Sequence, residues 1–201
     1  MNETQKESEL PSECCEDLDL LFDKAWKTIE DGVADRHMPA HTPTLATTGN
    51  DGLPKLRTIV VRHVSKSELV IRFHTDIRSS KAAELRRQSG CCIHVYDKAA
   101  GLQLRFDGYA ELHHESTVAK SAWDGSSPMS RKCYGQLQAP GAKLADPNLA
   151  RLDGSSEGFQ NFCAVLVNVT AVDLYALSHT GHRRAHWTVN NGTWTGHWLA
   201  P

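Results

Sequence analysis

Two arginines, Arg57 and Arg62, bracket the otherwise apolar run Thr58-Ile59-Val60-Val61. A strand bound for a barrel interior rarely carries two cations unless each has a partner, and an anion near both would satisfy them. Five positions apart, they point to opposite faces of a regular strand, so a shared site requires a bulge between them; otherwise they are ordinary exposed ion-pair arginines. The second group is Thr75-Asp76-Ile77-Arg78-Ser79-Ser80-Lys81, where a strand ends and a helix begins. Free backbone N–H groups, the positive end of the helix dipole, the hydroxyls of Ser79 and Ser80 and the Lys81 ammonium suit a phosphate, each charge-assisted bond contributing about 1.5–3 kcal/mol. The same residues also read as a plain helix cap. The third is Gln103 in Leu102-Gln103-Leu104-Arg105-Phe106-Asp107-Gly108, an amide on a strand that can meet the edge of a heterocycle. Near the C-terminus, His182, Arg183 and Arg184 precede Trp187, Trp194 and Trp198, tryptophans that more often fill a core than form stacking platforms.

Positioning these residues requires mostly strands. Leu18, Leu21, Phe22, Ala25, Trp26 and Ile29 recur at helical spacing, and that helix ends around Gly32 to Arg36. From Thr42 the period becomes that of strands: 44–48, the turn Gly49-Asn50-Asp51-Gly52, one strand over 55–64, and 68–74. A short helix from Ser79 or Ser80 stops at Ser89-Gly90. Strands over 91–96 and 102–112 flank the turn at Asp97–Gly101; residues 115–162 read as helix and loop; strands over 164–177, 183–189 and 193–199 follow. Many short antiparallel strands with few helices indicate a mainly β fold, a barrel with peripheral helices rather than a doubly wound sheet. Residues 1–16 are polar and read as a mobile tail, leaving 17–201 as one domain.

A net charge of −2 and a pI near 6.6 argue against coating nucleic acid or an anionic membrane, so phosphate recognition must be local. No apolar run approaches the roughly 20 residues of a membrane helix, and a cytoplasmic location is expected. The six cysteines, two adjacent pairs and two singles, form neither a metal knuckle nor a disulfide framework and read as reduced thiols. His37/His41 and His182/His186 are four apart, but Pro39 interrupts the first pair and the second lies in strand-like sequence, so no metal is expected. No G-x-G-x-x-G or Walker lysine motif is present, and a nucleotide-type cofactor must be held by other means.

In order and spacing, four segments resemble the pyridoxamine 5'-phosphate oxidase-like FMN-binding split barrels: Arg57 to Arg62, Phe73-His74-Thr75-Asp76 to Ser79-Ser80-Lys81, Gln103-x-Arg105-x-x-Gly108, and Trp194 to Pro201. The resemblance covers roughly residues 42–201 and implies a homodimer with two FMN sites at its interface. It implies that Arg57, Arg62, Ser79 and Lys81, with the strand Thr58-Ile59-Val60-Val61 and with Ser80, hold the phosphate. Thr75 and Gln103 would approach the isoalloxazine, and Tyr175 and Arg184 would reach across from the partner subunit. Three departures stand out. Ser80 replaces the family's arginine. Thr180-Gly181-His182 keeps the histidine of an Arg-x-His substrate grip without its arginine. The stretch Trp123 to Ser130 lacks the arginine of a substrate-phosphate loop. The resemblance therefore implies an FMN-dependent oxidoreductase acting on a small molecule, with Arg62 and His182 as substrate contacts and no assigned catalytic acid or base. The alternatives are a non-catalytic flavin- or haem-binding protein and a pyridoxamine or pyridoxine 5'-phosphate oxidase proper.

Overall fold

The protein is described here from a computed structural model covering residues 16–150, 158–179 and 181–201. The expected tail therefore lies outside the described residues except for Glu16, as do Cys14, Cys15 and Thr180. Helix α1 spans Leu18–Ala34, and its N-cap Asp17 accepts from the N–H of Asp19 and Leu20. The apolar stripe read from the sequence is the buried one: Leu21, Ala25, Trp26 and Ile29 are inaccessible to solvent.

Nine antiparallel strands follow: β1 (Thr44–Thr48), β2 (Pro54–Thr58), β3 (Val61–Ser65), β4 (Val70–Asp76), β5 (Gly90–Asp97), β6 (Leu102–His114), β7 (Phe162–Ala176), β8 (Arg183–Asn190) and β9 (Thr193–Leu199). Their order is β2-β1-β5-β6-β7-β4-β3, with β8 on β7 and β9 on β8. β7 is long enough to pair with β4 along its first half and β8 along its second, while β6 runs beside nearly all of it. This is the mainly β barrel with peripheral helices that the strand pattern indicated, in the split form that the resemblance implied. The short helices α2 (Ser80–Arg87), α3 (Thr117–Asp124) and α4 (Pro128–Lys132) lie around it.

The structure corrects two local expectations. The stretch 55–64 is two strands rather than one: β2 and β3 stand at opposite ends of the strand order, and the chain crosses between them at Ile59-Val60. The Ile59 N–H donates to the Pro43 carbonyl at 3.0 Å, and the Ile59 side chain is buried. The register also shifts between Val61 and His63, which supplies the irregularity that the two arginines required. Gly90, expected as a helix stop, instead opens β5; α2 ends at an extended Gln88.

The barrel interior is filled by Leu45, Phe73, Ile93, Leu104, Phe106, Val165, Val172 and Leu174. Trp26 meets Phe106 edge-on at 5.6 Å, and Phe22 lies 5.4 Å from Trp187 and 5.0 Å from Trp194, so α1 plugs this core. Trp187 and Trp194 thus serve packing. A smaller cluster under α3 joins Ala119, Ala122, Trp123, Phe162 and Ala164. Gly108 sits at a bulge in β6, where an added Cβ would come within 2.3 Å of the Asn168 carbonyl oxygen, so a close strand crossing requires glycine there.

Candidate functional site

The β4–α2 junction gathers a cationic cluster. Ser79 caps α2: its Oγ accepts from the Ala82 N–H at 3.4 Å and lies 3.1 Å from Thr75 Oγ1. By helix geometry the N–H groups of Ser80 and Lys81 point out of α2 without intrahelical acceptors. Lys81 Nζ donates to Thr75 Oγ1 at 3.2 Å and forms no ion pair among the described residues. Burial, and then the Arg57 guanidinium, push the Lys81 ammonium below the usual lysine range. The Asp76 and Glu84 carboxylates oppose this shift without reversing it, so the ammonium stays under-compensated and can take up an anion.

Arg57 reaches this cluster from β2 but already has a carboxylate. It donates to Glu84 Oε2 at 2.6 Å and to Thr47 Oγ1, while the Thr47 hydroxyl donates to the same Glu84 oxygen at 2.6 Å. Glu84 is buried on α2, so Arg57 anchors the helix to the sheet and presents its remaining donor surface beside Lys81. Arg78, between them in sequence, pairs with Asp76 at 2.7 Å and donates to the carbonyls of Gln136 and Leu137 at 2.9 and 3.2 Å. It thereby pins the 136–138 segment next to the junction. Gln138 Oε1 is buried without a hydrogen-bond partner among the described residues. Nothing in the spacing of residues 115–162 pointed to this segment, whose attachment runs through backbone carbonyls.

Arg62 is elsewhere. It lines a cleft of about 230 Å³ between the β3–β4 hairpin and the α3–α4 connection, with Arg72, His74, Ser126, Ser127 and Ser130 among its walls and no carboxylate. Arg57 is not part of it. Of the residues between the two arginines, Val61 and Ile59 are buried, Val60 is half-buried and Thr58 is exposed. Burial, with repulsion from Arg72 and Arg62, pushes His74 from the ordinary 6.5 to about 3, so its imidazole is neutral.

The remaining expected residues share one row. Tyr96, Gln103, Tyr175 and Arg184 are successive register partners across β5, β6, β7 and β8, so their side chains leave the same face. Arg184 is held by Asp173 at 3.0 Å, which keeps its guanidinium above the usual range. Tyr175 lies 5.6 Å from His182. His182 lines two open clefts at this end of the sheet, one with Tyr96 and Lys98, the other with Arg184 and Trp198, and does not meet Arg62 within the chain. Thr75, expected near a ring with Gln103, lies in the β4–α2 cluster beside Ser79 and Lys81.

Residues 23–114, which supply most of α1, the crossing from β2 to β3, the β4–α2 junction and Gln103, match the family model described as "Pyridoxamine 5'-phosphate oxidase, FMN-binding domain". Over that domain the chain is similar to the pyridoxamine 5'-phosphate oxidase-like family. It is 28% identical over 171 residues to pyridoxine/pyridoxamine 5'-phosphate oxidase 2 of Arabidopsis thaliana, covering 78% of this chain and 85% of that protein. Its fold is that of a pyridoxamine 5'-phosphate oxidase-related, FMN-binding protein from Nostoc punctiforme, with a TM-score of 0.72, 23% identity, and coverage of 90% of this chain and 96% of that one. It is also that of PhzG from Burkholderia lata, solved with tetrahydrophenazine-1-carboxylic acid, with a TM-score of 0.71, 21% identity, and coverage of 92% and 93%. Against that similarity the β4–α2 cluster fits a phosphate monoester: a desolvated ammonium in no ion pair among the described residues, a capped helix terminus and two hydroxyls make a donor set matched to phosphate oxygens. Ser80, exposed at the start of α2, contributes no charge where the family resemblance places arginine.

Proposed function

We propose that the protein is an FMN-dependent oxidoreductase acting on a small molecule, a homodimer with its flavins at the subunit interface. The observation carrying this reading is Lys81: a half-buried ammonium with hydroxyl neighbours and no ion-pair partner among the described residues, at a helix N-terminus within the region that matches the FMN-binding domain. Lys81, Ser79, Thr75 and the outer face of Arg57 hold the phosphate, aided by the first N–H groups of α2. Bound there, FMN supplies reversible hydride chemistry, and the chain supplies binding, orientation and electrostatics. Gln103 meets the ring edge through its amide, with Tyr175 and Arg184 contributed by the partner subunit. Arg62 and His182 contact the substrate, converging from two subunits because they are apart within one. Exposed Tyr96, Tyr109 and Leu56 favour burial of this surface in a dimer. The cysteines Cys91, Cys92, Cys133 and Cys163 are free, as in a cytoplasmic protein.

The test is the visible spectrum and flavin fluorescence of the purified protein titrated with FMN. The wild-type chain shifts the flavin bands and quenches the emission, whereas Lys81→Met weakens binding by about tenfold or more, the equivalent of one charge-assisted phosphate contact. A colourless protein that leaves FMN unperturbed, or one with a haem band, refutes the proposal.

A further inference from the structure

His186 meets a partner that its sequence neighbourhood did not suggest. Spacing sets it four residues from His182, but in the structure it is the register partner of His197 across the β8–β9 hairpin. The two imidazoles leave the same face of the sheet, with ring centroids 5.4 Å apart and planes inclined at 66°. His186 is half-buried; His197 is exposed on β9, an edge strand that pairs only with β8. Among the described residues neither ring takes part in a hydrogen bond or ion pair, and their contact is with each other.

The hairpin sets this pair in place before any ligand arrives. Asn191 and Gly192 form its two-residue turn with φ of 50° and 78°, the geometry that matches the twist of tightly joined strands. Beside the histidines, buried Trp187 faces Gly196, where an added Cβ would come within 2.3 Å of the indole. A one-residue slip would set a side chain against that ring and carry His197 to the other face of the sheet, so the register that opposes the two imidazoles is fixed. Asp173, which faces His186 from β7, is committed to Arg184 at 3.0 Å and lies 3.6 Å from Arg105. No third side chain of ligand type completes a group with the two histidines among the described residues. Two imidazole donors remain, side by side and open to water.

Paired imidazoles suit borderline first-row divalent ions, whereas magnesium and calcium take oxygen ligands. Two imidazoles on one zinc ion, at about 2.0–2.1 Å per bond in a tetrahedral arrangement, have ring centres about 5 Å apart. The observed 5.4 Å is close to that chelating separation. We propose that His186 and His197 form a binding site for a divalent metal ion of the zinc class, with water filling the remaining coordination positions. The ion acts as a clip that ties edge strand β9 to β8. The site does not rest on the flavin function proposed above.

The experiment is calorimetric titration of the untagged full-length chain with zinc chloride, and with magnesium chloride as the oxygen-seeking control. His186→Ala, His197→Ala, His197→Gln and the double alanine variant are titrated alongside, with His63→Ala, at an exposed histidine of β3, for comparison. Folding of each is checked by thermal unfolding without metal, and His197→Gln, at an exposed position, carries the test if alanine at half-buried His186 prevents folding. Saturable zinc binding, weakened about tenfold or more by either single substitution and no further by the double variant, supports the site, because a chelate is lost with either arm. The wild-type thermal midpoint then rises with zinc concentration, the His197→Gln midpoint does not follow it, and magnesium moves neither. Zinc binding that is indifferent to both histidines, that falls equally with His63→Ala, or that is absent altogether overturns the proposal.

Discussion

The clearest energetic consequence of the Arg62–Arg72 cleft is a penalty at mildly acidic pH carried by His74. In the unfolded chain its imidazole titrates near 6.5, and in the folded protein near 3. Between those values the unfolded state binds a proton that the folded state refuses, so the stabilising contribution is full above pH 6.5 and is lost as the pH falls towards 3. The steepest loss is about 1.4 kcal/mol per pH unit, and from pH 7 to pH 5 the total is about 2 kcal/mol at most. Partial exposure of the ring to solvent reduces the figure to about 1–2 kcal/mol. His74→Phe keeps the edge-on contact with Phe162, now 4.8 Å between centroids, and removes the titration. Urea unfolding of both proteins at pH 7 and pH 5 reads the difference: wild type loses about 1–2 kcal/mol more than the variant, through its midpoint with an unchanged slope m. Equal losses would show that His74 protonates freely in the folded protein and that the two arginines do not act on it.

Glu84→Ala strands the Arg57 guanidinium and costs about 3 kcal/mol, of which Arg57→Met in the same chain recovers part; a double-mutant cycle by denaturant unfolding checks the coupling. FMN affinity falls as the pH rises through the lowered Lys81 range, earlier than an ordinary lysine allows, because the charged ammonium is the binding form; titrations from pH 7 to 10 follow this, and Lys81→Met loses that dependence. Gly108→Ala drives a methyl group into the Asn168 carbonyl and destabilises by about 2 kcal/mol or more, measured by thermal unfolding. Sedimentation of the purified chain gives the mass of a dimer, and Tyr109→Lys on its exposed strand face shifts it towards monomer.

Strand alternation and the α1 stripe were legible because each is a local pattern whose burial the fold preserves: Trp26, Ile29, Phe106 and Leu174 are buried where the periodicity put them. The β4–α2 junction was legible for the same reason, since cap, hydroxyl and lysine are neighbours in the chain. Arg72 and His74 were not. A cation alternating with buried residues on a strand looks like a solvated face, and only the packing of the α3–α4 connection beside it reveals a partly open cleft. The Arg57–Glu84 pair was equally hidden, since 27 residues separate partners that meet only because α2 lies against β1 and β2. Sequence spacing resolves partners one helical turn or one strand register apart, not those brought together by tertiary contact.

The segment Arg57 to Arg62 shows why a single motif can serve two sites. Read as one strand, it suggests two cations sharing one anion. The barrel seam falls inside it, at Ile59-Val60, so the first arginine belongs to the last strand at one end of the sheet and the second to the last strand at the other. Each strand end carries its arginine to a different neighbour, Arg57 to α2 and Lys81, Arg62 to Arg72 and His74. Buried Ile59 and Val61 fasten the crossing to the core, which fixes the spacing of the two cationic centres without any contact between them.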